Sequence, residues 1–118
     1  MSYEKTKAEV LRLIGRSNSE SKSKNDELCW ALLSEAHIIS QPFALLHSIV
    51  HWQMLVLALK QRNLTEISGQ IIRLIVAAPG SLLGKYPLGN TGRSHVNMFQ
   101  PQEISPELKE KMKNLAEE

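Results

Sequence analysis

The chain has a single cysteine, Cys29. One thiol excludes an internal disulfide and suits a reducing compartment, so the expected location is the cytoplasm. No signal segment is expected either: the opening MSYEKTKAEV carries charge early and has no apolar core of signal-peptide length. Long apolar runs are also absent. The richest, Phe43 to Leu59, is broken by His47, His51 and Gln53. It falls short of a bilayer span and reads as a buried helix, with no membrane partner. No period-two alternation persists anywhere, which leaves strands without support. Acids are scarce in the middle of the chain. Between residues 36 and 102, Glu66 stands alone against Lys60, Arg62, Arg73, Lys85 and Arg93. That bias admits a small anionic ligand. The bases are dispersed and not interleaved with exposed aromatics, which argues against a nucleic-acid partner.

What remains is ordinary for one globular domain: 118 residues, 42% of them hydrophobic and 22% charged. The expectation is an all-α single domain over 1–118, a bundle of about five helices around a central αα-hairpin. Residues 3–14 have an apolar edge in Val10, Leu11, Leu13 and Ile14, and Gly15 follows as a stop, giving an N-terminal helix within 1–15. The serine-rich stretch 16–25 reads as a polar linker. A three-helix core is expected over 26–78. Asn25 or Asp26 caps its first helix, 26–40, which Pro42 ends by pushing the preceding residue out of helical geometry. The second helix covers about 43–62. The third covers 65–78, with Ile67, Ile71, Leu74, Ile75 and Ala78 on its buried side, and Pro79-Gly80 closes it. Residues 79–105 form a long, ordered Gly/Pro-rich loop, and such loops in small domains usually serve function. Ser105-Pro106-Glu107 then opens a charged C-terminal helix over 106–118, with a cap, a first-turn proline and an acid facing the dipole.

Three of the four histidines, His37, His47 and His51, fall within fifteen residues of one another across the bend at Ser40-Gln41-Pro42. His47 and His51 stack on one helix face. Across the hairpin, Glu35 and His37 lie at matching levels. They are two residues apart and about 200° around their helix, so only one of them can join the pair. Glu35 is the better third member, because Leu28, Leu32 and Ile39 share its face and a buried carboxylate needs a partner. Two histidines and a carboxylate suit a divalent metal, zinc or ferrous iron, with open positions for water or substrate. The intervening glutamate of the helical metalloprotease motif is missing from His47-Ser48-Ile49-Val50-His51, which rejects a peptidase. A Glu–His pair buried in a helical core accounts for the same residues without metal. Cys29, buried as a small apolar residue, is an inert thiol and no nucleophile. Trp30 and Trp52 read as core anchors.

The Gly/Pro-rich loop fails as a P-loop: Gly80 to Gly84-Lys85 is one residue short, Tyr86 replaces the hydroxyl residue, and no strand precedes it. Gly89-Asn90-Thr91-Gly92 can make a tight turn whose amides converge on an anion, with Arg93 and Ser94 as further donors. The same residues also serve as a rigid turn packing the loop on the helices. His95 is placed to fold back as a fourth ligand.

Gly89-Asn90-Thr91-Gly92, in order after Glu35-Ala36-His37, His47-Ser48-Ile49-Val50-His51-Trp52 and Gly69-Gln70-Ile71-Ile72-Arg73-Leu74, makes residues 26–105 resemble the bacterial family called domain of unknown function 3703. The resemblance implies a compact bacterial cytoplasmic protein and carries no activity, ligand or site residue. The expected function is therefore binding of a divalent metal or a small anionic ligand through the His/Glu cluster, covered by the 84–95 loop. Whether it is an enzyme stays open; as one, it would use metal-assisted or histidine acid–base chemistry. The rival is a non-catalytic helical protein–protein interaction module whose buried His/Glu pair is structural. The bent helix pair resembles a tetratricopeptide unit, yet no second copy occurs at a fixed period. Homo-oligomerisation through a leftover apolar face fits either.

Overall fold

The computed structural model describes residues 2–117 and shows five helices: α1 Tyr3–Lys22, α2 Asp26–Ser40, α3 Ala44–Lys60, α4 Leu64–Leu82 and α5 Pro106–Ala116. The described residues contain no strand. Four helices open on a side chain that satisfies a free first-turn amide. Ser2 Oγ accepts from Lys5 N, Asn25 Oδ1 from Leu28 N, Asn63 Oδ1 from Glu66 N and Ser105 Oγ from Leu108 N. Helix α3 has no such cap and begins at extended Phe43, behind Pro42. Helix α1 packs along α2 and α4 packs along α3, while α2 meets α3 beyond the bend at 40–43.

Two helices run past the stops expected of them. Helix α1 continues through Gly15 and the serine-rich stretch to Lys22, so 16–25 is mostly helix and not a linker. Its last turns are held by packing: Ser17 is buried, its Oγ donates to Cys29 O (3.3 Å), and the Cys29 thiol donates to Ser17 O. Tertiary contact overrides weak local propensity here. The turn is made at Lys24, with φ +60°. Helix α4 likewise passes through Pro79 and ends at Leu82. The missing proline amide frees the carbonyl of Ile75, itself 71% exposed, so water can serve that oxygen. The extra turn delivers Ser81 to the interior.

Val10, Leu13, Leu33, Ile39, Val50, Met54 and Ala58 fill the space between α1, α2 and α3. Helix α5 closes one end of it with buried Leu108, backed by Met112 and Leu115. Lys111 pairs with both Glu9 on α1 and Glu35 on α2, a three-element tie.

Helix α4 is rotated from the expected face, with Ile67, Leu74 and Ala78 only partly buried. Its buried residues are Glu66, Gln70, Arg73, Ala77 and Ser81, a mostly polar stripe. Ile71 and Ile75, expected inside, are 47% and 71% exposed, alongside Leu64, Ile72, Leu82 and Leu83. A buried polar stripe needs hydrogen-bond partners. Those partners are the histidines of α2 and α3 and the loop beyond α4.

Candidate metal centre

The last turn of α2 carries His37, and α3 carries His47 and His51 one turn apart. All three are buried. The His37 ring meets the other two edge-on, His47 and His51 are tilted to each other, and the centroids lie 4.6–4.9 Å apart. The His37 Nε2 atom lies 3.0 Å from His51 Nε2 and 3.0 Å from His47 Nε2. The three donor nitrogens fall within 4.8 Å of one another, a set able to hold a metal ion.

The opposite ring nitrogens fix the tautomers. His37 Nδ1 is 2.6 Å from the carbonyl of Asn90, which only accepts. His47 Nδ1 is 2.7 Å from Ser81 Oγ, whose hydroxyl already donates to Gln41 O at 2.6 Å. His51 Nδ1 is 2.7 Å from Gln70 Oε1. The orientation of that amide follows from its other end, because Gln70 Nε2 reaches Glu66 Oε2 (3.1 Å) and Gly92 O (2.8 Å), both acceptors. Each imidazole therefore carries its hydrogen on Nδ1. Three Nε2 lone pairs then face one another with no hydrogen between them.

Protonation does not relieve this arrangement near neutral pH. Burial drives the His37 imidazole well below its ordinary value, helped by the facing His51 and His47. Burial also pushes His47 down to about 3 and His51 to about 4, the latter opposed by its bond to Gln70. Neutral imidazoles with free Nε2 are the form that binds metal.

Of Glu35 and His37, the structure brings His37 beside His47 and His51. Glu35 sits on the other side of α2 and pairs with Lys111 of α5. Its neighbours along the helix are apolar, but a half-buried carboxylate goes to the nearest ammonium, and the docking of α5 was not legible locally. His95 is exposed and takes no part.

The loop covers the centre in the manner of a packed turn. Gly89 and Gly92 both have φ +83°. A Cβ on Gly92 would stand 2.7 Å from the His37 ring, and one on Gly89 would stand 2.1 Å from Gln102 O, so only glycine fits. The amides expected to converge on an anion are already engaged. Gly89 N donates to Gln41 Oε1, Asn90 N to Pro87 O, Thr91 N to Gln102 Oε1 and Gly92 N to Asn90 Oδ1. Arg93 N takes Thr91 Oγ1, its Nε meets Glu66 Oε1 at 2.8 Å, and its guanidinium lies over Trp30. The anion cradle at 89–93 is thus filled by the protein's own oxygens. Buried Asn90 organises the turn, with Nδ2 donating to Asn97 O and Gln100 O.

Sequence reasoning missed Gln70, Ser81, Arg73, Glu66 and Gln41, which orient the histidines or the loop. The signal was present: polar residues at 66, 70, 73 and 81 recur at helical spacing in a segment otherwise rich in Ile and Leu. Beside the imidazoles lies a cavity of about 60 Å³, walled by Arg73, Ala77, Tyr86, Met98 and Phe99. Among the described residues no helix is long and apolar enough to cross a membrane.

Against known proteins, one family model matches, described as protein of unknown function (DUF3703), over residues 4–112. No curated protein and no solved structure matches the chain.

Proposed function

We propose, for a chain that belongs to the DUF3703 family of proteins of unknown function, that it binds one divalent transition metal through Nε2 of His37, His47 and His51. One observation carries this reading: each Nδ1–H is committed to an oxygen, so three lone pairs converge with nothing to accept. A buried acceptor without a donor is costly, and a cation at the convergence point satisfies all three at once. Tetrahedral zinc with bonds of about 2.0–2.1 Å sets its ligand nitrogens about 3.4 Å apart. The two 3.0 Å separations from His37 need to widen by a few tenths of an ångström, and all three nitrogens lie within 4.8 Å of one another. The outer shell is also of the expected kind. Gln70, itself held by Glu66, and Ser81, held by Gln41 O, anchor two ligands, and a backbone carbonyl anchors the third.

Imidazole nitrogens suit zinc or ferrous iron. Three protein ligands leave a fourth position for water or substrate, the pattern of catalytic sites, where zinc lowers the pKa of bound water to about 7. We place the protein in a reducing cytoplasm, where the buried Cys29 remains a thiol. Elemental analysis of protein purified without an affinity tag tests the assignment. Wild type is expected to carry about one metal per chain. His47→Ala, with its helical circular dichroism retained, is expected to lose at least ten-fold in affinity. Equal metal content in the two proteins would sink the proposal.

As partner we propose a second copy of the chain. Leu45, Trp52 and Leu59 recur every seven residues outside α3, and Leu64, Ile71, Ile75 and Leu82 line the outside of α4. They are uncharged, so an identical stripe matches them in chemistry and periodicity. Sedimentation should give a dimer for wild type and a monomer for Ile75→Lys. A monomeric wild type at tens of micromolar would exclude the dimer.

A further inference from the structure

The cavity beside the imidazoles is lined by one buried cation that makes no ion pair among the described residues. Arg73 projects from the buried stripe of α4 and is 8% exposed. Its Nη1 donates to Gly69 O (3.1 Å), and its Nη2 donates to Arg93 O (3.2 Å) and Val96 O (2.8 Å). Those partners are neutral carbonyls. Its Nε–H is buried and has no acceptor among the described residues. The carboxylate in the neighbourhood, Glu66, is fully engaged elsewhere: Oε1 takes Arg93 Nε and Ser94 N, and Oε2 takes Gln70 Nε2 and Ser94 Oγ. A guanidinium is always charged, and a buried charge without a counter-charge is strongly unfavourable.

Resting on the metal reading, this imbalance deepens. Three neutral imidazoles contribute no negative charge, so a divalent ion leaves a doubly positive centre beside Arg73. We propose that the cavity takes a small oxyanion, a carboxylate, carbonate or phosphate, held between the open metal position and Nε–H of Arg73. An oxyanion supplies the missing acceptor and the missing charge together. The cavity is small, about 60 Å³, which suits a compact ligand. Val76, Ala77, Met98 and Phe99 form an apolar side of the lining, and Arg73 is the buried cation in it. Lys85 is exposed at the rim, where it adds attraction for an incoming anion.

The test uses protein loaded with cobalt(II), whose visible spectrum reports the ligands on the metal. Sodium bicarbonate, acetate and inorganic phosphate are titrated separately. Wild type is expected to show a saturable spectral change with at least one of them. In Arg73→Gln the cobalt stoichiometry is expected to persist while that anion binds at least ten-fold more weakly. Arg73→Lys, which keeps the charge but loses the Nε donor, is expected to fall between, and it stands in if Arg73→Gln does not fold. Cobalt binding by wild type with no response to any of the three anions overturns the oxyanion proposal alone. So does an anion affinity unchanged in both variants. Failure of wild type to bind cobalt overturns the metal reading and this inference with it.

Discussion

Zinc added to chelator-stripped protein at neutral pH is expected to raise its melting temperature by about 15 °C. A ligand that binds only the folded state at about a thousand times its Kd stabilises by about 4 kcal/mol. For a chain of this size each kcal/mol moves the midpoint by about 4 °C. The gain is expected to be large because the metal-free site is under tension, with three Nε2 acceptors held face to face by His37–Asn90, His47–Ser81 and His51–Gln70 bonds. A cation turns that repulsion into three bonds without moving the surrounding shell, so little ordering opposes binding. The same experiment on His37→Ala separates this effect from weak surface binding. The variant loses one ligand, and with it the bond to the Asn90 carbonyl and the ring beneath Gly92. It is therefore expected to melt lower than wild type and to gain less than a few degrees from zinc. A differential scanning trace in which wild type and variant gain equally would show that the stabilisation arises elsewhere.

The contrast between α3 and α4 shows why part of this site was legible and part was not. His47 and His51 are one turn apart on a single helix, so their alignment follows from helical geometry alone. Helical rotation also limited the third member to Glu35 or His37. Choosing between them needed α5, whose Lys111 takes Glu35, a contact spanning 76 positions in sequence. Helix α4 misled for another reason. Its apolar residues lie on one stripe, and amphipathicity assigns such a stripe to the core. Here the polar stripe of Glu66, Gln70, Arg73 and Ser81 is the buried one, because the histidines and the Asn90 turn supply its partners. A helix that turns polar residues inward at the cost of exposing Ile75 and Leu82 breaks a local rule, and such breaks concentrate at functional sites. The proline at position 79 fits the same pattern. It was read as a terminator, yet the helix continues one turn further and so places Ser81 on His47. Caps at Asn25 and Ser105 were readable, since each depends only on its own first turn.

Acid is expected to unfold the metal-free protein well above the usual carboxylate range. An unfolded histidine takes up its proton near pH 6.5. Inside the fold, burial holds His51 back to about 4, His47 to about 3 and His37 lower than its ordinary value as well. Between pH 6.5 and about 4 the unfolded chain therefore binds more protons than the folded one. Stability is complete above pH 6.5 and falls as the pH drops through this window. At pH 5 the loss is about 2 kcal/mol for each histidine that stays neutral, so the trio removes a large share of a typical 5–15 kcal/mol. The charged groups around the rings do not reverse the sign. Arg73 disfavours a second cation beside His51, and Glu66 is neutralised by Arg93. Urea titrations of chelator-treated protein at pH 7.5, 6.0 and 5.0 measure the slope directly. The His51→Gln variant removes one titrating ring and should flatten the slope by about a third. Equal midpoints at pH 7.5 and 5.0 would mean that the rings are protonated in the native state, which the buried Nδ1-bonded arrangement does not allow.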